Sequence, residues 1–202
     1  MSLWRAEPLV LASTSSVRRT LLEAAGIPVE IEPARIDERA VESSKAASES
    51  AKGIASLLAR EKALEVAGRK SKSIVLGADQ TLALGQRRFS KPADAFAARE
   101  QLKLLAGKTH ELHAAVAVAQ NGKVVFETVA TARLTVRPLS ETFLDAYLAA
   151  AGDRVLSSVG AYQLEGQGVH LFERIEGDHF TIMGLPLLPL LAYFRSAGLV
   201  VS

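Results

Sequence analysis

Residues Pro8 to Glu38 read PLVLASTSSVRRTLLEAAGIPVEIEPARIDE. Pro8-Leu9-Val10-Leu11-Ala12 is a short apolar run of the kind a buried strand carries. Ser13-Thr14-Ser15-Ser16 then offers several N-cap residues, and Val17, Leu21, Leu22 and Ala25 recur at helical spacing. A strand entering a hydroxyl-rich turn and a helix start aims unpaired backbone N–H groups at one point, which suits an anion. Arg18 and Arg19 fall in the first turn, where the helix macrodipole disfavours cations unless something anionic offsets it. Taken alone, the stretch fits a solvated helix start with two surface arginines equally well. Gly26-Ile27-Pro28 stops the helix, Val29–Glu32 alternates as a short strand that Pro33 ends, and Asp37-Glu38 places two carboxylates in a loop.

The small, polar residues 42–50 read as a flexible connection, followed by a helix from Ser48 to Ala67 with Ile54, Leu57, Leu58 and Leu64 inward and Lys62 beside that face. Ser73–Ala78 has the continuous apolar character of a central strand. Asp79-Gln80-Thr81 interrupts it before Leu82-Ala83-Leu84 resumes, and Gly85 marks a turn. A helix is expected from Pro92 or Ala93 to Leu105. Thr109–Gln120 and Lys123–Val136 are β-rich and joined by Asn121-Gly122, a strong hairpin signal. A helix from Ser140-Glu141 to Ala150, a glycine-rich ordered loop over 152–168, short strands at Val169–Glu173 and Phe180–Met183, and a helix over Leu185–Ala197 complete the chain. Interleaved strands and helices with one long hairpin predict a three-layer α/β fold on a mixed central sheet flanked by helices, in one domain spanning 1–202.

With 202 residues the chain can bury a sizeable core, and its net charge of +2 gives no argument for nucleic acid. The absence of cysteine excludes disulfides and thiolate metal sites. The N-terminus lacks the pattern of a signal peptide, and the greasy stretch 184–201 is broken by Pro186, Pro189 and Arg195, so neither secretion nor a membrane span is expected. The default location is the cytoplasm.

Leu104-Leu105-Ala106-Gly107-Lys108-Thr109 is not a phosphate loop: the position needing the first glycine is Leu102, and the helix precedes the glycine rather than following it. No Gly-x-Gly-x-x-Gly follows a strand, which leaves a dinucleotide site unsupported. His110 and His113, three apart on a strand, point to opposite faces and cannot share an ion. Asp79 is more informative, because a carboxylate in an apolar central strand costs several kcal/mol if buried without a partner. It is tolerated where it faces a cleft and holds a cation, or where the strand simply surfaces. Asp37-Glu38 could add oxygen ligands for a hard ion such as Mg²⁺. Lys62 and Lys91 are ordinary alone; together with the helix start and the carboxylates they suit a polyanion carried with a divalent metal, and phosphoryl chemistry fits best.

A family resemblance rests on ordered motifs: Leu11-Ala12-Ser13-Thr14-Ser15-Ser16-Val17-Arg18-Arg19, Ile36-Asp37-Glu38, Glu61-Lys62-Ala63, Gly77-Ala78-Asp79-Gln80, Lys91-Pro92, Gly107-Lys108-Thr109-His110, Gly160-Ala161-Tyr162-Gln163-Leu164-Glu165-Gly166, Phe172-Glu173-Arg174-Ile175-Glu176-Gly177 and Gly184-Leu185-Pro186-Leu187. In these the chain resembles the Maf family of nucleoside triphosphate pyrophosphatases, first described as septum-formation inhibitors. The resemblance implies an α/β fold with a deep cleft between two lobes, similar to the inosine triphosphatase group, and hydrolysis to a nucleoside monophosphate and pyrophosphate with Mg²⁺ or Mn²⁺. It implies Asp79 as proton acceptor and places Glu38 among the positions that handle phosphate and metal; Mg²⁺ or Mn²⁺ is then expected to be held by Asp79 and Glu38. Ser13, Arg18, Lys62 and Lys91 match phosphate-handling positions, and Val17, Gln80 and Glu165 match positions that choose the base. Gln80 and Glu165 resemble the 7-methyl-GTP branch. Val17 departs from it, since that branch tends to carry an aromatic there, and Ser16 stands where many members have proline. A homodimer is implied by the family alone. The rival expectation is a nucleotide-binding regulator of division without useful turnover.

Overall fold

The structure is a computed structural model that describes residues 3–45 and 49–201. In chain order it forms β1 (Leu9–Leu11), α1 (Ser16–Ala24), β2 (Val29–Ile31), α2 (Glu38–Lys45), α3 (Ala51–Arg69), β3 (Val75–Leu84), β4 (Arg87–Phe89), α4 (Ala95–Leu105), β5 (Thr109–Gln120), β6 (Lys123–Val136), α5 (Glu141–Ala151), β7 (Phe172–Glu176), α6 (His179–Ile182) and α7 (Leu187–Ser196). The strand order is β2-β1-β3-β5-β6-β7, with β4 paired to β3. β1 runs parallel to β2 and β3, whereas the β3–β4 and β6–β7 pairs are antiparallel. The sheet is therefore mixed, as expected. The chain divides into two compact units: one holds the residues up to Gln80, 113–130 and those from 179 on; the other holds 81–112 and 131–178.

In the first unit, side-chain alternation along β1, β3 and β5 sorts the core into two layers. Leu9, Leu11, Leu76, Ala78, Val116 and Val118 pack with Leu22 of α1 and with Leu187, Leu190 and Phe194 of α7. Val10, Ala12, Val75, Ala115, Ala117 and Ala119 pack instead against Ala55, Ala59, Ala63 and Val66 of α3. Burial on both faces explains why these strands read as continuous apolar runs rather than alternating ones. The α3 layer is thin because alanines face alanines. Its closest approach is at Gly77, where a Cβ would strike the backbone of Ala59 and Ala63.

In the second unit, Asp94 and Ser140 cap α4 and α5 by accepting from Ala97 N at 2.7 Å and Phe143 N at 3.1 Å. Residues expected as one loop over 152–168 form 3₁₀ turns at Gly152–Leu156 and Val159–Ala161, with a third at Gln167–Leu171. His110 is fully buried, with Nε2 2.7 Å from the Tyr162 hydroxyl and the Phe172 ring nearby. Its Nδ1 is buried without a hydrogen-bond partner among the described residues. The motifs around His110 and Tyr162 thus meet through one hydrogen bond.

Several expectations are corrected. Asp79-Gln80-Thr81 does not interrupt the strand; β3 is continuous through it. Glu38 lies in α2 rather than a loop, because Asp37 accepts from Ala40 N at 3.0 Å through Oδ1 and starts the helix. That helix also occupies the first part of the supposed flexible stretch 42–50, of which 46–48 lie outside the described residues. The following helix begins at Ala51, where Ser50 caps it, not at Ser48. The strand expected at Val169–Glu173 starts at Phe172, and Phe180–Ile182 is helical with Met183 in the turn that follows: α6 ends in a Schellman turn, with Leu185 N bonded to Phe180 O and Gly184 N to Thr181 O. The Asn121-Gly122 hairpin forms as read, both residues taking the positive φ (52° and 72°) that its turn requires.

Two outcomes follow from this packing. Gly77→Ala drives a methyl into helix backbone that cannot rotate away, so a loss of about 3 kcal/mol or more is expected in urea unfolding. Burial pushes His110 down to about 4, below the ordinary value of 6.5. The unfolded state therefore takes up a proton that the folded state refuses: this contribution is complete above pH 6.5 and drains away as pH falls toward 4, by up to about 3 kcal/mol. In His110→Phe the unfolding midpoint should lose that part of its pH dependence.

Candidate active site

The tight α3–β3 packing brings Lys62 onto Asp79. Asp79 is two residues beyond Gly77 and so shares its face of the strand, while Lys62 precedes Ala63 on the helix. Lys62 Nζ donates to Asp79 Oδ1 at 2.6 Å and pairs with Glu38 Oε1 at 2.9 Å. Lys62 and Asp79 are each only 8% exposed, whereas half of the Glu38 side chain reaches solvent. Asp79 Oδ2 has no hydrogen-bond partner among the described residues. Burial raises the Asp79 carboxyl above the usual carboxylate range, against the opposing pull of Lys62 and Arg18. The result is a carboxylate of unusual basicity with one oxygen fixed and the other open.

Arg18 is also buried, at 9% exposure. Its Nη1 donates to Ser13 Oγ at 3.0 Å and to Ala78 O at 2.9 Å, and its Nε donates to Gly184 O at 2.9 Å. Burial lowers its pKa from the ordinary value, while the charges of Asp79 and Glu38 act to raise it. Among the described residues, Nη2 has no acceptor. Ser15 caps α1, accepting from Arg18 N, and Ser13 Oγ also accepts from Ser15 N at 3.3 Å. Ser13 retains its hydroxyl proton to offer elsewhere. Of the two first-turn arginines, Arg18 is built into the fold, and Arg19 makes a surface pair with Glu23 at 2.7 Å.

Gln80 points to the other face of β3, where Nε2 donates to Thr181 O at 3.1 Å and to Ile182 O at 3.0 Å. Val17 is half-buried on α1. Ser13, Val17, Arg18, Glu38, Lys62, Asp79 and Gln80 all belong to the first unit; Lys91 and Glu165 are exposed residues of the second. The Thr181–Gly184 backbone, which holds Arg18 and Gln80 through carbonyl groups, was not given a role from sequence. Its signal was the glycine of Gly184-Leu185-Pro186-Leu187.

As a cation seat, Asp79 and Glu38 supply two hard oxygen donors already converging on one ammonium, and no group of three or more His, Cys, Asp or Glu residues suited to a metal occurs among the described residues. A pair of carboxylates fits Mg²⁺ or Mn²⁺ if phosphate oxygens and water complete the coordination.

An α/β fold that sets two buried cations beside two such carboxylates suits a ligand that brings anionic groups and a hard cation together. The family model described as Maf-like protein matches residues 8–197, and the chain belongs to that family. It is 59% identical over 201 residues to a nucleoside triphosphate pyrophosphatase of Bradyrhizobium diazoefficiens, and 57% identical over 202 residues to one of Rhodopseudomonas palustris, covering 99% of both chains in each case. It is also 50% identical to a 7-methyl-GTP pyrophosphatase of Rhizobium etli, over 95% of this chain and 97% of that one. A solved HAM1 protein from Coxiella burnetii shows a slight likeness: TM-score 0.37 and 15% identity over 65% of this chain and 73% of the other. No helix among the described residues is long and apolar enough to cross a membrane.

Lys62→Met leaves Asp79 buried without its ammonium. That raises the carboxyl further, and a raised folded-state value costs stability once pH exceeds the unfolded one, so the penalty should grow from pH 4 upward. At neutral pH a loss of about 3 kcal/mol is expected in urea unfolding, with most of it recovered in Lys62→Met/Asp79→Asn.

Proposed function

We propose that this chain hydrolyses nucleoside triphosphates between the α- and β-phosphates. Water attacks the α-phosphorus, its proton passes to Asp79, and the bond to the bridging oxygen breaks to release pyrophosphate and a nucleoside monophosphate. The observation that carries this reading is the Asp79 carboxylate: buried, raised by burial, held through Oδ1 on Lys62, and open at Oδ2. A general base works best when its pKa is brought toward the working pH. Names carried by relatives across nearly the full chain support the same reaction.

Lys62, Arg18, Ser13 and Lys91 are assigned to the phosphates. Arg18 and Lys62 are balanced in formal charge by Asp79 and Glu38, so this cluster brings no net positive charge to a triphosphate. A divalent cation held by Asp79 and Glu38 would supply it, neutralising charge that builds on the leaving group. Base choice is assigned to Val17, Gln80 and Glu165. A 7-methyl-GTP specialist is the second reading, favoured by Gln80 and Glu165 and by the name of the Rhizobium etli relative. Val17 offers no ring to stack on a methylated, cationic guanine. A homodimer, on family grounds, and a cytoplasmic location, as the sequence's default, complete the proposal.

Pyrophosphate release should be measured over a panel of standard and methylated nucleotides with Mg²⁺, with Mn²⁺ and with chelator. Release is expected in the presence of metal and loss with chelator, and an intact panel would favour the non-catalytic regulator instead. Asp79→Asn should lower kcat by about 10²–10⁴-fold while the fold persists by circular dichroism.

A further inference from the structure

Gln80 is held in one orientation. Both of its amide N–H groups are taken by backbone carbonyls, Thr181 O at 3.1 Å and Ile182 O at 3.0 Å. The flipped amide would put Oε1 against two carbonyl oxygens, which have no proton to offer, so the assignment is settled by its partners. Oε1 takes no hydrogen bond from any described residue. The carbonyls stay in place because α6 ends in its Schellman turn at Gly184, whose φ of +85° is costly for any residue with a Cβ. The same turn fixes Arg18 through Gly184 O. A Cβ at Gly184 would lie 3.4 Å from both Gln80 Oε1 and Arg18 Nη2, two atoms without a hydrogen-bond partner among the described residues, so the bare Cα leaves room beside them.

We infer that the Thr181–Gly184 turn is a positioning element that gives Gln80 a fixed polarity, amide nitrogen inward and carbonyl oxygen outward, so that the accepted nucleobase must present an N–H donor to Oε1. This rests on the nucleotide reading of the site. A freely rotating glutamine could meet either a donor or an acceptor on the base; this one can only accept. The matching chemical class is a base with a ring imino N–H, such as hypoxanthine or uracil. Gly184 acts through Gln80 and is a positioning residue.

Two measurements test the inference, and their failures are distinguishable from failure of the reaction. In the first, kcat/KM is compared for inosine triphosphate against its N1-methyl form, and for UTP against its N3-methyl form. Loss of the donor should cost the wild-type protein roughly tenfold or more. Gln80→Met keeps the side-chain length without the acceptor and should bring both ratios near one, and Gly184→Ala should move them the same way. Equal rates in the wild type, or a ratio retained in Gln80→Met, would overturn the inference while leaving the pyrophosphatase reading intact. In the second, proton exchange of the Gln80 side-chain amide is followed by NMR in the ¹⁵N-labelled free protein, which requires no turnover. Slow exchange, hastened in Gly184→Ala, is expected; exchange as fast as that of a solvent-exposed glutamine overturns the positioning whatever the activity.

Discussion

The meeting of α3 with β3 at Gly77 is the constraint on which the site depends. Most helix–sheet contacts are spaced by branched side chains, but here alanines on α3 face alanines of β5 and a glycine of β3. Backbone meets backbone, and a lysine one residue from the contact lies against the strand instead of extending to water. Its stem is covered by apolar neighbours and its ammonium is delivered to Asp79. A bulkier layer would move the helix outward and strand a buried carboxylate without its counter-charge, which is among the costliest single defects a core can hold. The thin layer therefore has an electrostatic consequence as well as a steric one.

The cost of burying Asp79 is offset only in part. Its pKa is raised although two cations stand near it, so desolvation outweighs their attraction. A site built for stability alone would be served better by an apolar residue in that strand. Retaining the charge makes sense where the carboxylate must be poised to accept a proton, and where the ammonium can exchange its partner for incoming phosphate oxygen.

Much of this was legible in the sequence wherever the signal was local. The hairpin ends were readable because Asn121-Gly122 permits one turn geometry, and two helix starts because serines at positions 15 and 140 had only backbone N–H groups to serve; α4 starts later than Pro92 or Ala93, at Ala95, because Asp94 caps it. Asp37 carries the same signal, but the polar helix after it lacks an apolar stripe, so the sequence shows only a loop carboxylate there. Phe180–Met183 reads as a strand because a four-residue helix has no period to display; the signal for the helix lies after it, in Gly184. The pairing of Lys62 with Asp79 could not be read locally at all. Seventeen positions separate them, and only the small residues at Ala59, Ala63 and Gly77 hint that the two elements touch.

Consecutive residues of one strand point to opposite faces, and β3 places different chemistry on each. Asp79 turns toward α3, where charge and desolvation set its basicity. Gln80 turns toward the Thr181–Gly184 turn, where backbone carbonyls set its polarity. Arg18 bonds to Ala78 O on the strand and to Gly184 O in the turn, so it ties the second support to the peptide just before Asp79. A substitution at Gly184 thus reaches Gln80 and Arg18 through the turn and leaves the α3 contact at Gly77 in place. One at Gly77 does the reverse. The two supports share the strand and are joined through Arg18, whose charge also acts on Asp79.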